Sequence, residues 1–422
     1  MKINTKQFRT KNFKGVVSLF AGNTLSKFIL TVFGFVLANY YNPENYAVYS
    51  VFLSYVMIMP VLASFRLDNI MILQKGSKEI RNLFNGIIWI SLMVTILLTG
   101  ILFLIKKSNL LQIEMSYFVL FLCGLATVLT AWNNAQNSLF SKFKLFKQMS
   151  TAFVLASIFS VLFQGIFYFA GYVENGLIYG WLVGLLVSFI YNARVAKDRL
   201  GALNIPLLKK SVKEHFEVVK FTYPSDSINI IANNILLILA FSYFEKVEVG
   251  IFALAFKMLT TPLSLLSGSV SRVYFQKSVT LYNHDIKQLA SLTYRVILSN
   301  AGIIFLFLVF MNTAGIYLLD LFLKDAWQGL GEFILILSFW ILARSALNPI
   351  ITILLVMKKN HYSLIFNIYL LLVNFAAIGI GVMKNDFSFG IMVFSALSGI
   401  GYLILTGSIL WNLKQLKLNN AA

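Results

Sequence analysis

Four charged residues stand where an apolar chain has reason to carry none. Lys27, Asp226, Lys257 and Arg344 each fall inside a hydrophobic run of the ~20 residues that a helix needs to cross a bilayer. At ~1.5 Å rise per residue, Lys27 and Arg344 lie ~18 Å and Lys257 ~12 Å from the nearer start of their runs, too deep to snorkel easily. Each such charge costs about 2.5–3.5 kcal/mol on insertion scales, so stability alone gives little reason to keep them. Helical spacing groups Lys27 with Asn23, Thr31, Gly34 and Ala38, and Asp226 with Thr222, Asn229 and Asn233. Lys257 falls with Ala253, Thr261, Ser264 and Gly268, and Arg344 with Asn348 and Thr352. Stripes of small and polar residues face protein or water rather than lipid.

Two readings compete for these stripes. In one they are packing seams, with Asp226 neutralising Lys27 or Lys257 in a structural ion pair. In the other, at least two of the three cations line a hydrated, positively charged cavity, because one acid cannot satisfy three cations. Lys and Arg there would attract an anion and suit phosphate oxygens. Asn23, Asn229 and Asn233 fit either reading. Pro262 and Pro349 lie within runs and should bend them, as hinges or as static kinks. Trp132 and Trp340 read as aromatic fillers, with sugar stacking as the alternative.

The elements that must position these groups are transmembrane helices. Hydrophobic residues make up 59% of the chain, charged residues 12%, and mean hydropathy is +0.79; a soluble domain has about a quarter of its residues charged. Twelve spans emerge: Gly15–Asn39, Tyr46–Phe65, Leu83–Ile105, Met115–Leu139, Ser150–Gly171, Asn175–Ala196, Phe221–Phe244, Val249–Ser269, Leu292–Met311, Glu332–Met357, Tyr362–Met383 and Phe387–Leu413. The first begins after a basic tail, as a signal peptide would. It is too long and lacks a small-residue cleavage site, so it is expected to be a retained span. On one side of the spans lie 27 of the 35 Lys and Arg residues; the other has Lys106, Lys107, Lys246, Lys324 and Lys384. The positive-inside rule then predicts both termini in the cytoplasm. It also explains the net charge of +19 without a nucleic-acid partner.

The longest connection, 197–220, carries Leu208, Val212, His215/Phe216 and Val219 at helical spacing, with Lys209, Lys210, Lys213 and Lys220 on other faces. It is expected to be an amphipathic helix on the cytoplasmic membrane surface. It separates a six-helix lobe, 1–196, from a second, 221–422. The halves open alike, NPENYAVYSVFLSY into span two and EKVEVGIFALAFKM into span eight, with Ala47 aligned on Gly250. An even number of spans per half makes this a parallel repeat, and in repeat transporters the substrate site lies where the halves meet.

Several chemistries have no carrier here. There is no GxxxxGK[ST] loop for nucleotide hydrolysis. Cys123 is the single cysteine, and His215, His284 and His361 are scattered, so no metal site is expected. No serine–histidine–acid set or carboxylate pair sits on an outward loop, and the longest outer connection, near 312–331, is short. An ion gradient or downstream consumption of the product must drive any uphill work.

The chain resembles the polysaccharide-flippase branch of the multidrug/oligosaccharidyl-lipid/polysaccharide exporter superfamily, most closely the Wzx-type O-antigen flippases. The resemblance rests on NPENYAVYSVF, FRLDNIMILQ, EVGIFALAFK and SKFKLFKQMS, and on length, span count and lobe division. It implies an all-α membrane protein with two six-helix lobes around a central cavity lined largely by spans one, two, seven and eight. It implies translocation of an undecaprenyl-pyrophosphate-linked oligosaccharide across the bacterial inner membrane for O-antigen or related polysaccharide, with no enzymatic step and no cofactor. Lys27, Lys257 and Arg344 would meet the pyrophosphate, with Asn23 and Asn229 beside the substrate. Asp226 is the candidate for proton or sodium coupling. A polysaccharide polymerase is the implied protein partner. A multidrug cation antiporter of the same fold would want buried carboxylates rather than cations. An O-antigen polymerase or ligase would want a large outer loop.

Overall fold

The computed structural model describes residues 5–108, 113–197, 203–323 and 325–419. Residues 1–4 of the basic tail, 198–202 of the connection and Lys324, on which the expectations above draw, lie outside them. Among the described residues there are helices and turns and no strand. Twelve helical segments are long and apolar enough to cross a membrane, one for each expected span.

The chain divides into two compact units. The first comprises 1–41 and 48–230, the second 42–47 and 231–422. The first unit holds α1 (Thr5–Leu37), most of α2 (Pro43–Ser64), the short α3 (Leu67–Leu73), α4 (Ser77–Lys107), α5 (Tyr117–Lys142), α6 (Phe146–Phe169), α7 (Gly176–Ala196) and α8 (Ile205–Glu214). It also takes the start of α9 (Tyr223–Tyr243), so the division falls within span seven.

Lipid offers no hydrophobic drive between helices, so close approach and polar bonds hold them. Gly180 and Gly184 of α7 press on α6: a Cβ on either would come within 2.3 Å of its backbone, at Gln164 N or Ala156 O. Between α5 and α7, Asn133 Oδ1 accepts from Asn192 Nδ2 at 3.1 Å and from Ser188 Oγ at 3.5 Å.

The amphipathic helix predicted in the connection is α8, but its apolar face has a protein partner. Leu208 and Val212, with Val218 and Val219 beyond, pack on the buried cluster of Leu67, Ile70, Leu83 and Phe84. Phe216 alone of the predicted apolar set is largely exposed. Asn82 of α4 pins the entrance, donating to the Asn204 carbonyl at 2.9 Å and accepting its N–H at 2.6 Å. Asn82→Ala leaves both backbone groups without this partner, a loss of about 1–3 kcal/mol if they stay dry. Limited trypsinolysis at Lys209–Lys213 is expected to speed up while the spans stay intact.

The second unit contains the rest of α9, then α10 (Lys246–His284), α11 (Ile286–Phe310), α12 (Ile316–Phe322), α13 (Leu330–Leu347), α14 (Ile353–Val356), α15 (Asn360–Lys384) and α16 (Phe387–Asn419). Two expected boundaries shift. Span eight ends not at Ser269 but runs as one helix through Pro262 to His284. Span nine continues past Met311 through a π-turn, Met311–Gly315, into α12. The polar residues there do not end the helix because they bond within it or to the next span. Asn312 Nδ2 donates to the Leu308 carbonyl at 2.8 Å and to Ser338 Oγ at 2.9 Å, and Thr313 Oγ1 donates to the Val309 carbonyl at 2.7 Å. The connection near 312–331 is thus shorter than the sequence suggested.

Candidate functional site

Arg344 occupies the last turn of α13. Pro349 explains why that helix stops: it lacks a backbone donor, and the chain passes through a 3-10 turn, Asn348–Ile350, before α14. The proline thus breaks span ten directly after the deep guanidinium, whereas Pro262 leaves α10 continuous. The Arg344 guanidinium lies over the Trp340 ring, 4.9 Å from its centroid, in the neighbourhood of the Tyr402 hydroxyl of α16. The Trp340 ring in turn stacks on Phe256 of α10 at 5.2 Å and 25° and touches Phe394 at 5.2 Å. A cation–π contact is worth about 0.5–1 kcal/mol at an exposed site and about 2 kcal/mol or more when desolvated; here the ring is buried and the guanidinium half-buried. Trp340 is therefore the platform for the guanidinium, a role the filler reading missed, although its spacing of four from Arg344 was visible.

Beside this stack Asn233, Asn374, Trp340 and Tyr402 line a pocket of about 20 Å³, room for a water and not for a sugar. Asn374 donates to the Ala232 carbonyl at 2.7 Å, while its Oδ1 is buried without a protein donor. Lys257 is half-buried on α10, one residue after Phe256. The second unit thus carries Lys257 and Arg344 on two helices joined by the Phe256–Trp340 stack.

The first unit carries Lys27, Asn23, Asp226 and Asn229. Lys27 and Asn23 are half-buried on α1; Ser26, next to Lys27, is buried. Thr31 Oγ1 caps the Lys27 carbonyl at 2.8 Å rather than serving its ammonium. Asn229 is exposed on α9. Asp226 pairs with a residue that the sequence reading had placed in a connection: Arg66 Nε stands 2.8 Å from Asp226 Oδ2. This partner replaces the Lys27 or Lys257 suggested by the seam reading. Proximity of Arg66 to Asp226 follows from the fold of the first unit, and only the FRLD string at the end of span two hinted at a charged corner. Trp132 donates Nε1–H to the Ile88 carbonyl at 3.2 Å, which fits the filler reading. Among the described residues no group of three or more His, Cys, Asp or Glu could hold a metal ion.

The chain matches the polysaccharide biosynthesis protein family over residues 36–332. No individually curated protein matches it. Solved structures resemble it throughout its length. The lipid II flippase MurJ in an inward closed conformation superposes with a TM-score of 0.69 at 14% identity, covering 96% of this chain and 90% of its own. An inward-facing multidrug resistance transporter of the MATE family, in the MOP superfamily, gives 0.68 at 13% identity, with 94% and 95% covered. A MOP-superfamily transporter from Pyrococcus furiosus, described as having a binding pocket of reversed polarity, gives 0.55 at 16% identity, with 96% and 97% covered. At such identities the likeness establishes the fold: a polytopic helical protein built like these transporters.

Proposed function

Because the chain belongs to the polysaccharide biosynthesis protein family, we propose that it flips a lipid-linked oligosaccharide, carried on undecaprenyl pyrophosphate, across the bacterial inner membrane. The observation that carries the reading is the Arg344–Trp340 pair: a guanidinium within a candidate membrane span, set on an aromatic platform. Lys27, Lys257 and Arg344 supply cations that suit a pyrophosphate. Asn23 and Asn229 supply side-chain amide N–H hydrogen bonds to substrate oxygens. The sugars travel in water and the polyisoprenyl tail in lipid, so the protein stabilises only the charged junction that the bilayer core rejects. No covalent step is assigned; the cargo leaves as it entered, for a polysaccharide polymerase on the far side. Asp226 is the candidate for coupling to a proton or sodium gradient. O-antigen or a related surface polymer is the product class.

Deleting the gene is expected to remove one surface glycan and to accumulate its lipid-linked repeat unit on the cytoplasmic leaflet. Complementation with Lys27→Ala is expected to leave the polymer about tenfold or more below wild type, as loss of about 1.5 kcal/mol of charge-assisted contact predicts, with normal membrane insertion. Full polymer from the deletion strain, or repeat units accumulating only on the outer leaflet, would overturn the reading.

A further inference from the structure

The end of span two turns sharply. Phe65 and Arg66 are consecutive left-handed residues, φ 48° and 54°, a conformation that side chains with a Cβ adopt at a cost and that recurs at switch regions. The turn sets Arg66 between two carboxylates. Its Nε is 2.8 Å from Asp226 Oδ2, and its Nη1 is 4.0 Å from Asp68 Oδ2. The Nε–H is not aimed along the shorter contact, so the guanidinium makes an ion pair there without an aligned Nε hydrogen bond. Asp68 is 8% exposed, and its Oδ1 has no hydrogen-bond partner.

We propose that Asp68 is a proton-binding carboxyl that competes with Asp226 for the Arg66 guanidinium, so that its ionisation releases the start of α9 from the end of α2. The conformation seen suits a protonated Asp68. A neutral carboxyl tolerates burial with one idle oxygen, and Arg66 is then left to Asp226. When Asp68 gives its proton to water, the new carboxylate is buried and under-paired, and the nearest cation is Arg66. Turning that side chain onto Asp68 leaves Asp226 unpaired. The proton has a path because Arg66 and Asp226 are open to water, their side chains 26% and 35% exposed.

The charges that act on Asp68 are those of Arg66 and Asp226. Burial raises its affinity for a proton, Arg66 and the backbone N–H groups of Asp68 and Asn69 oppose this, and Asp226 adds to it, for a net upward shift. The elements packed on α3 are α4, α5, α8 and the π-turn Val218–Thr222. Their charges, the half-buried Glu79 apart, are engaged elsewhere or stand on exposed faces. Lys142 of α5 donates to the Ile72 carbonyl at 2.6 Å, Lys220 of the π-turn covers the Phe221 ring, and Lys210 of α8 faces Glu214. Lys78, Glu79 and Arg81 open α4, and Lys209 and Lys213 complete α8. The sign follows: with its pKa raised in this conformation, Asp68 favours it at low pH, and that support is lost as pH rises through the raised value.

Release has a mechanical outlet. The start of α9 is tied to the end of α2 by the ion pair, by the Tyr223 hydroxyl donating to the Leu62 carbonyl at 3.5 Å, and by the Phe65–Tyr223 ring contact at 5.1 Å. It is preceded by the π-turn, a strained step that helices use at functional sites.

The test needs no substrate, so it stands or falls apart from the transport reading. Full-length protein in lipid nanodiscs carries spin labels at Leu73→Cys and Phe221→Cys, both exposed, in a Cys123→Ala background. Pulsed electron resonance is expected to give one short distance at acid pH and a second, longer population as pH rises. Asp68→Asn should hold the short distance at every pH, Asp226→Asn the longer one. Asp68→Glu, which keeps a titrating group, should keep the transition at a shifted midpoint. A wild-type distance independent of pH, a transition surviving in Asp68→Asn, or one that follows sodium at constant pH would overturn the proposal.

Discussion

Arg344→Ala is expected to reach the membrane in normal amount and to flip glycan lipid at least about tenfold to a hundredfold more slowly, the loss of about 1.5–3 kcal/mol of charge-assisted contact to a phosphate oxygen. The assay is entry of labelled lipid-linked oligosaccharide into proteoliposomes, read against protein content. Companion variants separate charge from placement. Arg344→Lys keeps the charge but not the planar fork that stacks on Trp340 and reaches Tyr402, so transport should fall between wild type and alanine. Trp340→Leu keeps the guanidinium and removes its platform, so a defect similar to Arg344→Lys is expected. Transport by Arg344→Ala equal to wild type would remove the cation from the mechanism and leave the Trp340–Arg344 pair a packing feature.

Gly250→Leu should fail to yield folded protein, and Gly250→Ala should yield protein that unfolds at lower temperature. A Cβ at residue 250 would stand 1.8 Å from the Pro43 carbonyl oxygen and 2.4 Å from its carbon. Both obstacles are backbone, at the first turn of α2, so neither can swing aside. Overpacking of this kind costs about 1–3 kcal/mol even where the structure relaxes. Gly302→Ala is the control: a Cβ there meets nothing within 4 Å, and replacing glycine inside a helix is neutral or favourable by about 0.5–1 kcal/mol. Thermal unfolding of the two alanine variants, followed by size-exclusion fluorescence in one detergent, should move in opposite directions or only for Gly250. Equal melting would mean that the α2–α10 contact has slack. The contact also gives a physical sense to the matched segments at the start of the two halves. NPENYA and the EVG of span eight are similar strings, and Pro43 of the first sits on Gly250 of the second, within one unit.

Much of the architecture was legible because it depends on quantities that read along the chain. Run length and apolar content specify how many helices can cross, and twelve were found. The errors fell at run ends. Asn312 and Thr313 looked like a loop because their polarity counted against a helix, whereas in the structure that polarity is spent on Leu308, Val309 and Ser338. The stretch from Val270 to His284 reads as a connection because it is polar, whereas α10 continues through it to His284. Leu208 and Val212 showed an apolar face but not what covers it; the neighbour is a buried cluster formed by α3 to α7.

The sequence alone determined that this chain is a helical protein with twelve segments able to cross a membrane. Hydrophobic length and charge placement are local sums that a bilayer reads directly. Tertiary structure decided who answers each charge. Asp226 meets Arg66 across a strained turn, and Arg344 meets Trp340 on its own helix and Tyr402 on another. Ion pairs and cation–π contacts act over a few ångströms, and residues far apart in sequence come that close only when particular helices pack.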